Sequence, residues 1–462
     1  MKYMNKVIII KNKLFVFIFL LIVPMLKTGE RNMLNTLFSN IITLTIKGPG
    51  KQYIFCKDNS EGYSYGGKYP SKIILNGEEY SKNISNIIEL EENISTIQMF
   101  WDINILSYSS MFYGCENILE ADLTQINITS ATNFNYMFSN CKSLKKVKLF
   151  KINSNKDNYN VNLNYMFSNC SSLNFINISD IQLNGKNNNL NMYYTFKGCI
   201  SLNSVSIFNI LLNGDGNRGE MRDIFSDCPF LKSVNIFNIE LNGYSSDIDM
   251  RSLFNSCNSL RHVNIYKIEL NGYSSDIDMG SMFRSCSNIS LVNIYNIQLN
   301  EHASDIDMRS MFEYCSFYNL INISNINLKD MNDDLYMNNM FYRCSFFDTI
   351  TMINIEAIGS GHRINMDNMF SNCISFNLSF NYNINININK GYISMNNMFN
   401  NFKNLTFAKL SNINIINNNG NIISDNMFKD CFSLISVDFS NVKLLGMNST
   451  ITMNYTFLDV KT

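Results

Sequence analysis

Apolar residues recur down this chain in a single frame. Between Met250 and Leu270 they fall first at Met250, Leu253, Phe254 and Cys257, then at Leu260, Val263, Ile265, Ile268 and Leu270. The first four are spaced i, i+3, i+4, i+7, which predicts a helix of about two turns with one buried face. Val263 and Ile265 alternate with outward positions, which predicts a strand with one buried face. Asn271-Gly272 marks a turn, and Asp249 stands where an N-cap belongs. The frame returns every 29 residues, as Cys141, Cys170 and Cys199 show. The cysteine series runs on to Cys373, Phe402 then fills the slot once, and Cys431 resumes it. The Phe position is constant from Phe112 to Phe457. A strict period of this length predicts a solenoid in which each repeat buries its apolar face against the next. The expected fold class is an α/β solenoid of about 13 strand-turn-helix repeats over residues 105–462.

Residues 30–104 are patterned differently. Ile41–Lys47, Gln52–Phe55, Ile73–Asn76 and Ile87–Trp101 read as strands, with turns at Gly48-Pro49-Gly50 and Asn76-Gly77. A solenoid needs a cap over its first repeat, and this β-rich segment is assigned that task. Residues 1–29 combine Lys2, Lys6, Lys11 and Lys13 with an apolar run from Leu14 to Val23, ended by Pro24. They read as a signal peptide, or as an uncleaved N-terminal anchor. At the other end Met453, Phe457 and Val460 begin a further turn. This leaves open an exposed end, a pairing with another molecule, or a truncated product.

The strand spacing resembles leucine-rich repeats. Met137-Phe138-Ser139-Asn140-Cys141-Lys142-Ser143-Leu144 and the matching stretch Met166–Leu173 are similar to the M-F-x-x-C-x-S-L repeats of BspA-like surface proteins. The resemblance implies a leucine-rich-repeat horseshoe in a secreted or cell-surface protein that binds or adheres. It does not imply catalysis. One departure is the usual Asn-ladder slot, which here holds Ile181, Ile210, Ile239, Ile268, Ile297 and Ile326. Side-chain hydrogen bonding is not expected there.

Composition narrows the function classes. Net charge is −1 with 16% charged residues and no basic stripe, so nucleic acid is not an expected partner. The apolar share of 46% supports a continuous core. Asn makes up about one residue in six. No phosphate loop, nucleophile elbow or Cys/His ligand spacing is present, so no enzyme activity and no cofactor are expected.

Four sets of residues remain as candidates. The cysteines occupy the closing position of the buried face, which Phe402 and Val460 also fill. A column of buried thiols fits this better than neighbour-to-neighbour disulfides. The recurrent Met250, Met279 and Met308 share that face and read as core. The pairs Asp247/Asp249, Asp276/Asp278 and Asp305/Asp307 would stack into acidic columns, balanced by Arg251 and Arg309 or by calcium. Gly243–Met250 and Gly272–Met279 are identical, a sign of recent duplication. Finally, the outward strand positions Phe208, Asn235, Phe237, Asn264, Tyr266, Asn293 and Tyr295 would form an aromatic stripe beside a row of amides. This is the expected ligand-binding face, suited to a protein or glycan; the other reading is ordinary cross-strand pairing. About eleven glycosylation sequons occur, among them Asn177 and Asn322 on the same face. The expected function is thus a secreted or surface-displayed adhesive scaffold. The alternative is an interaction scaffold inside the cell or tethered to a membrane through the N-terminal segment alone.

Overall fold

A computed structural model of the protein describes residues 40–460, apart from 57–64, 130, 300–303, 329–332, 348, 376–377, 411 and 459. The expected signal peptide or anchor lies outside the described residues. Among the described residues, no helix is long and apolar enough to cross a membrane.

The repeats wind into a right-handed parallel β-solenoid of about 11 turns. Each coil contributes one long and one short strand. Long strands such as Ser204–Leu212, Ser233–Leu241 and His262–Leu270 build a 13-stranded sheet. Short strands such as Asp247–Asp249 and Ile277–Asp278 build an 11-stranded sheet. The register is one repeat: Val234 pairs with Val205 and Val263, and Ile236 with Ile207 and Ile265. Like therefore stacks on like, which is why the sequence period is strict.

The expected horseshoe with helices is not formed; every element among the described residues is a strand. The predicted buried face is right in its residues. Met250, Leu253, Phe254 and Cys257 are each 0% exposed. The backbone that carries them is a run of tight turns. Ser252 and Ser256 adopt φ of 54° and 61°, a region closed to a right-handed helix. The Cys257 amide donates back to the Phe254 carbonyl at 3.2 Å. The Phe254 and Ser256 amides instead donate forward, to Met282 (2.8 Å) and Arg284 (3.0 Å) of the next coil. Spacing at i, i+3, i+4, i+7 says which side chains go inside. It does not say where the amides point, and here the adjacent coil captures them. Asp249, expected as an N-cap, ends a short strand instead.

The long strand also bends. Val263, Ile265, Ile268 and Leu270 are all buried, so alternation is interrupted once between Ile265 and Ile268. Lys267 in that gap has φ 57°, as does Asn238. The spacing V-x-I-x-x-I-x-L thus encodes a left-handed kink that turns the strand around a corner.

The core is a stack of columns. Phe225, Phe254 and Phe283 lie 5.1 and 5.2 Å apart between centroids, with planes within 8°, an offset-stacked range for aromatic pairs. The repeat cysteines lie beside them, and all twelve cysteines of the chain are buried with none in a disulfide. The Cys228 thiol donates to the Phe196 carbonyl at 3.3 Å, and Cys199 does the same to Phe167 at 3.2 Å. Burial pushes Cys228 up to about 12. Phe402 takes the same slot and is also buried. At the opposite corner Gly214, Gly243 and Gly272 stack so closely that a Cβ on each would overlap the carbonyl of the one before it in the column.

The lead-in strands Asn40–Lys47, Lys72–Leu75, Glu78–Glu79 and Ile94–Trp101 pair antiparallel. The same six-stranded sheet takes in Ile118–Gln125 and Lys146–Lys148 from the first repeats. Trp101 is buried and donates its indole N–H to the Lys68 carbonyl at 2.8 Å.

Candidate ligand-binding face

The seven residues expected on the exposed strand face come together in two adjacent columns on the outside of the long-strand sheet. Phe208, Phe237, Tyr266 and Tyr295 stack at 5.0, 5.0 and 5.1 Å, with planes within 5°. Asn264 donates to the Asn235 side-chain oxygen at 2.8 Å, and Asn293 to Asn264 at 2.9 Å. All seven are half-buried. Asn177 and Asn322 belong to the same column as the amides, as the pairs Asn177↔Ser206 and Asn293↔Asn322 place them.

Stacking changes what this face offers. The rings cover one another's faces, so their edges and the hydroxyls of Tyr266 and Tyr295 are what remains for solvent. Each amide within the row uses one donor and one acceptor in the ladder. An Asn side chain has two of each, so one donor and one acceptor stay available, held in a fixed direction.

A second amide ladder sits at the corner and was not anticipated. Asn209 donates to Asp180 (3.0 Å), Asn238 to Asn209 (2.9 Å) and the Lys267 ammonium to Asn238 (2.6 Å). These are the left-handed kink residues, one position before the buried Ile slot. Ile181, Ile210, Ile239 and Ile268 do point inward. The signal available in sequence was the recurrence of Asn and Asp, which tolerate positive φ, immediately before that Ile.

The acidic pairs stack on the short-strand sheet as expected. In one column the amide of each coil donates to the carboxylate below it: Asp276 to Asp247 (3.3 Å), Asp305 to Asp276 (2.9 Å), Asp334 to Asp305 (3.2 Å) and Arg363 to Asp334 (2.7 Å). Burial, reinforced by Asp276 and Asp334, pushes Asp305 up to about 7. The second column is threaded with arginines. Arg222 and Arg251 both reach Asp249, at 2.8 and 2.6 Å, and Arg251 also reaches Asp278 at 3.1 Å. Burial opposes ionisation of Asp249, but these guanidiniums outweigh it and hold the carboxyl below its ordinary range. Arg309 pairs likewise with Asp307. The countercharge expected from Arg251 and Arg309 is therefore in place.

No curated protein and no solved structure matches this chain. One family model does, described as "Mycoplasma protein of unknown function, DUF285", over residues 81–209, 219–351 and 248–384. Those segments span more than half of the sequence and follow the solenoid coils, so the chain belongs to this Mycoplasma family of unknown function.

Proposed function

We propose that the protein is a secreted or surface-displayed binding scaffold. It holds an extended protein or glycan ligand along the outward face of its long-strand sheet. The observation that carries this reading is the paired ladder of Asn235, Asn264 and Asn293 beside Phe208, Phe237, Tyr266 and Tyr295. Its hydrogen-bonding groups are already fixed in direction, so a ligand does not have to order them on binding. The ladder repeats at the strand spacing of about 4.8 Å, which favours a ligand with many similar contacts over one small molecule. The M-F-x-x-C-x-S-L signature shared with BspA-like surface proteins and the basic-apolar N-terminal segment support display outside the cell.

A scaffold inside the cell is the second reading. Twelve buried thiols, none in a disulfide, favour it, because they suit a reducing compartment. Two measurements separate the readings. Mature protein beginning after Pro24 supports secretion, and an intact Met1 supports the alternative. Loss of ligand capture in the Tyr266→Ala/Tyr295→Ala variant, with an unchanged thermal midpoint, supports the face. Undiminished capture by that variant would remove it from consideration.

A further inference from the structure

Further along the same sheet, two coils lack the corner. The strands Thr349–Ser360 and Leu378–Asn389 pair in unbroken register, from Thr349↔Leu378 to Ser360↔Asn389. Their apolar residues alternate strictly: Ile353, Ile355 and Ala357 in one, Ile384, Ile386 and Ile388 in the other, all buried. The two-residue gap that encodes the kink is gone. The neighbouring coils keep it, with φ of 55° at Asn325 and 62° at Asn412. Pairing accordingly shifts between Ile323 and Ile326, where the bent strand meets the straight one. Straight strands between bent neighbours leave an outward groove of about 530 Å³.

The groove is floored by two columns. One is Asn354, Asn383, Asn412 and Asn441; the other is Glu356, Asn385, Asn414 and Lys443. Asn414 donates to Asn385 at 2.9 Å, and Asn383 to Asn354 and Asn441 to Asn412 at 3.4 Å. The geometry points to this groove as a binding site for a neutral, hydroxyl-rich oligosaccharide. Each ladder amide keeps an outward donor or acceptor, and a sugar hydroxyl is both. Four coils at about 4.8 Å spacing give a row of roughly 14 Å, enough for a short chain of sugars. The volume lies within the usual range for ligand sites. Among the described lining residues a polyanion would find one ammonium, Lys443, and a carboxylate, Glu356, at the other end of the same column. A peptide would find no apolar pocket, since the apolar lining residue, Ile384, is 1% exposed. None of the described residues lining this site is aromatic, and it stands on its own geometry, separate from the Phe208–Tyr295 ladder.

The test uses the full chain against immobilised hexasaccharides of glucose, mannose and N-acetylglucosamine, with a hyaluronan hexasaccharide and a random decapeptide pool alongside. Three proteins are compared: the parent, Asn385→Ala/Asn414→Ala, and Tyr266→Ala/Tyr295→Ala. The proposal expects a neutral hexasaccharide to bind the parent, to lose at least tenfold in affinity for the Asn variant, and to bind the Tyr variant unchanged. Should the double Asn variant melt early, Asn414→Ser replaces it, with a loss of at least threefold expected. Absence of neutral hexasaccharide binding, retention of it in the Asn variant, or capture of only hyaluronan or peptide would overturn the proposal.

Discussion

Neutralising one carboxylate in the acidic column should make the solenoid more stable, by a margin that grows from about pH 4 and is complete above about pH 7. Asp305 lies between Asp276 and Asp334 in that column, with Asp333 also nearby. Burial and these like charges raise it from 3.8 to about 7. Taken at face value the rise corresponds to about 4 kcal/mol. Asp305 is only half-buried, so solvent screening brings this to about 1–2 kcal/mol. Because the folded-state value lies above the unfolded one, the folded protein binds the proton more tightly. The associated stability is fully present below about pH 4 and is lost as pH rises through 7. Asp305→Asn is uncharged throughout and keeps an oxygen to accept the Asp334 amide. Its thermal midpoint should exceed the parent's by a degree or two at pH 8.5 and converge with it toward pH 4. A long solenoid need not melt in one step. Hydrogen exchange at the Asp334 amide gives a local readout and should be slower in the variant at pH 8.5. A variant less stable at pH 8.5, or an offset equal at pH 5 and 8.5, would refute the reasoning.

Two further outcomes follow from the packing. Gly243→Ala should destabilise by about 1–3 kcal/mol, because its Cβ would overlap the Gly214 carbonyl and crowd the Ser246 hydroxyl; Gly219→Ala, whose nearest contact is an ordinary 3.4 Å to Ile248, should change the denaturation midpoint little. The buried thiols should resist a thiol-reactive dye in the folded protein and all twelve should react in denaturant; rapid labelling of several under native conditions would contradict the buried column.

Sequence patterning located the inside of this protein and misassigned its backbone. The period, the Phe column, the buried Cys slot and the outward aromatic row all depend on which residues face inward, and burial is what hydrophobic spacing records. Helix or turn ladder depends on where amides find carbonyls. In the segment Met250–Cys257 the amides of Met250, Ser252, Phe254 and Ser256 find their partners one coil away, and nothing within the segment specifies these. The clue was conformational: Ser252, Asp223 and Asn368 share one turn position with positive φ, and Ser256, Asp227 and Gly198 share the other, and these residue types enter it more readily than most. The straight strands show the same point from the other side. Strict alternation in Ile384-Asn385-Ile386-Asn387-Ile388 differs from V-x-I-x-x-I-x-L by one skipped position, and that single position decides whether the sheet turns a corner or opens a groove.

Stacking like on like also separates what the interior and exterior columns can vary. An interior column is constrained by the residues above and below it: Phe254 fits because Phe225 and Phe283 are flat against it. An exterior ladder is constrained along its column but has a free outer side. In the outward kink column Asp180, Asn209, Asn238 and Lys267 succeed one another, and the polar groups change while the coil, with φ of 56° to 59° at each, does not. The amide-lined groove and the aromatic ladder can therefore differ in chemistry on one uninterrupted sheet. Each presents its own periodic row to a ligand while sharing the same 29-residue frame.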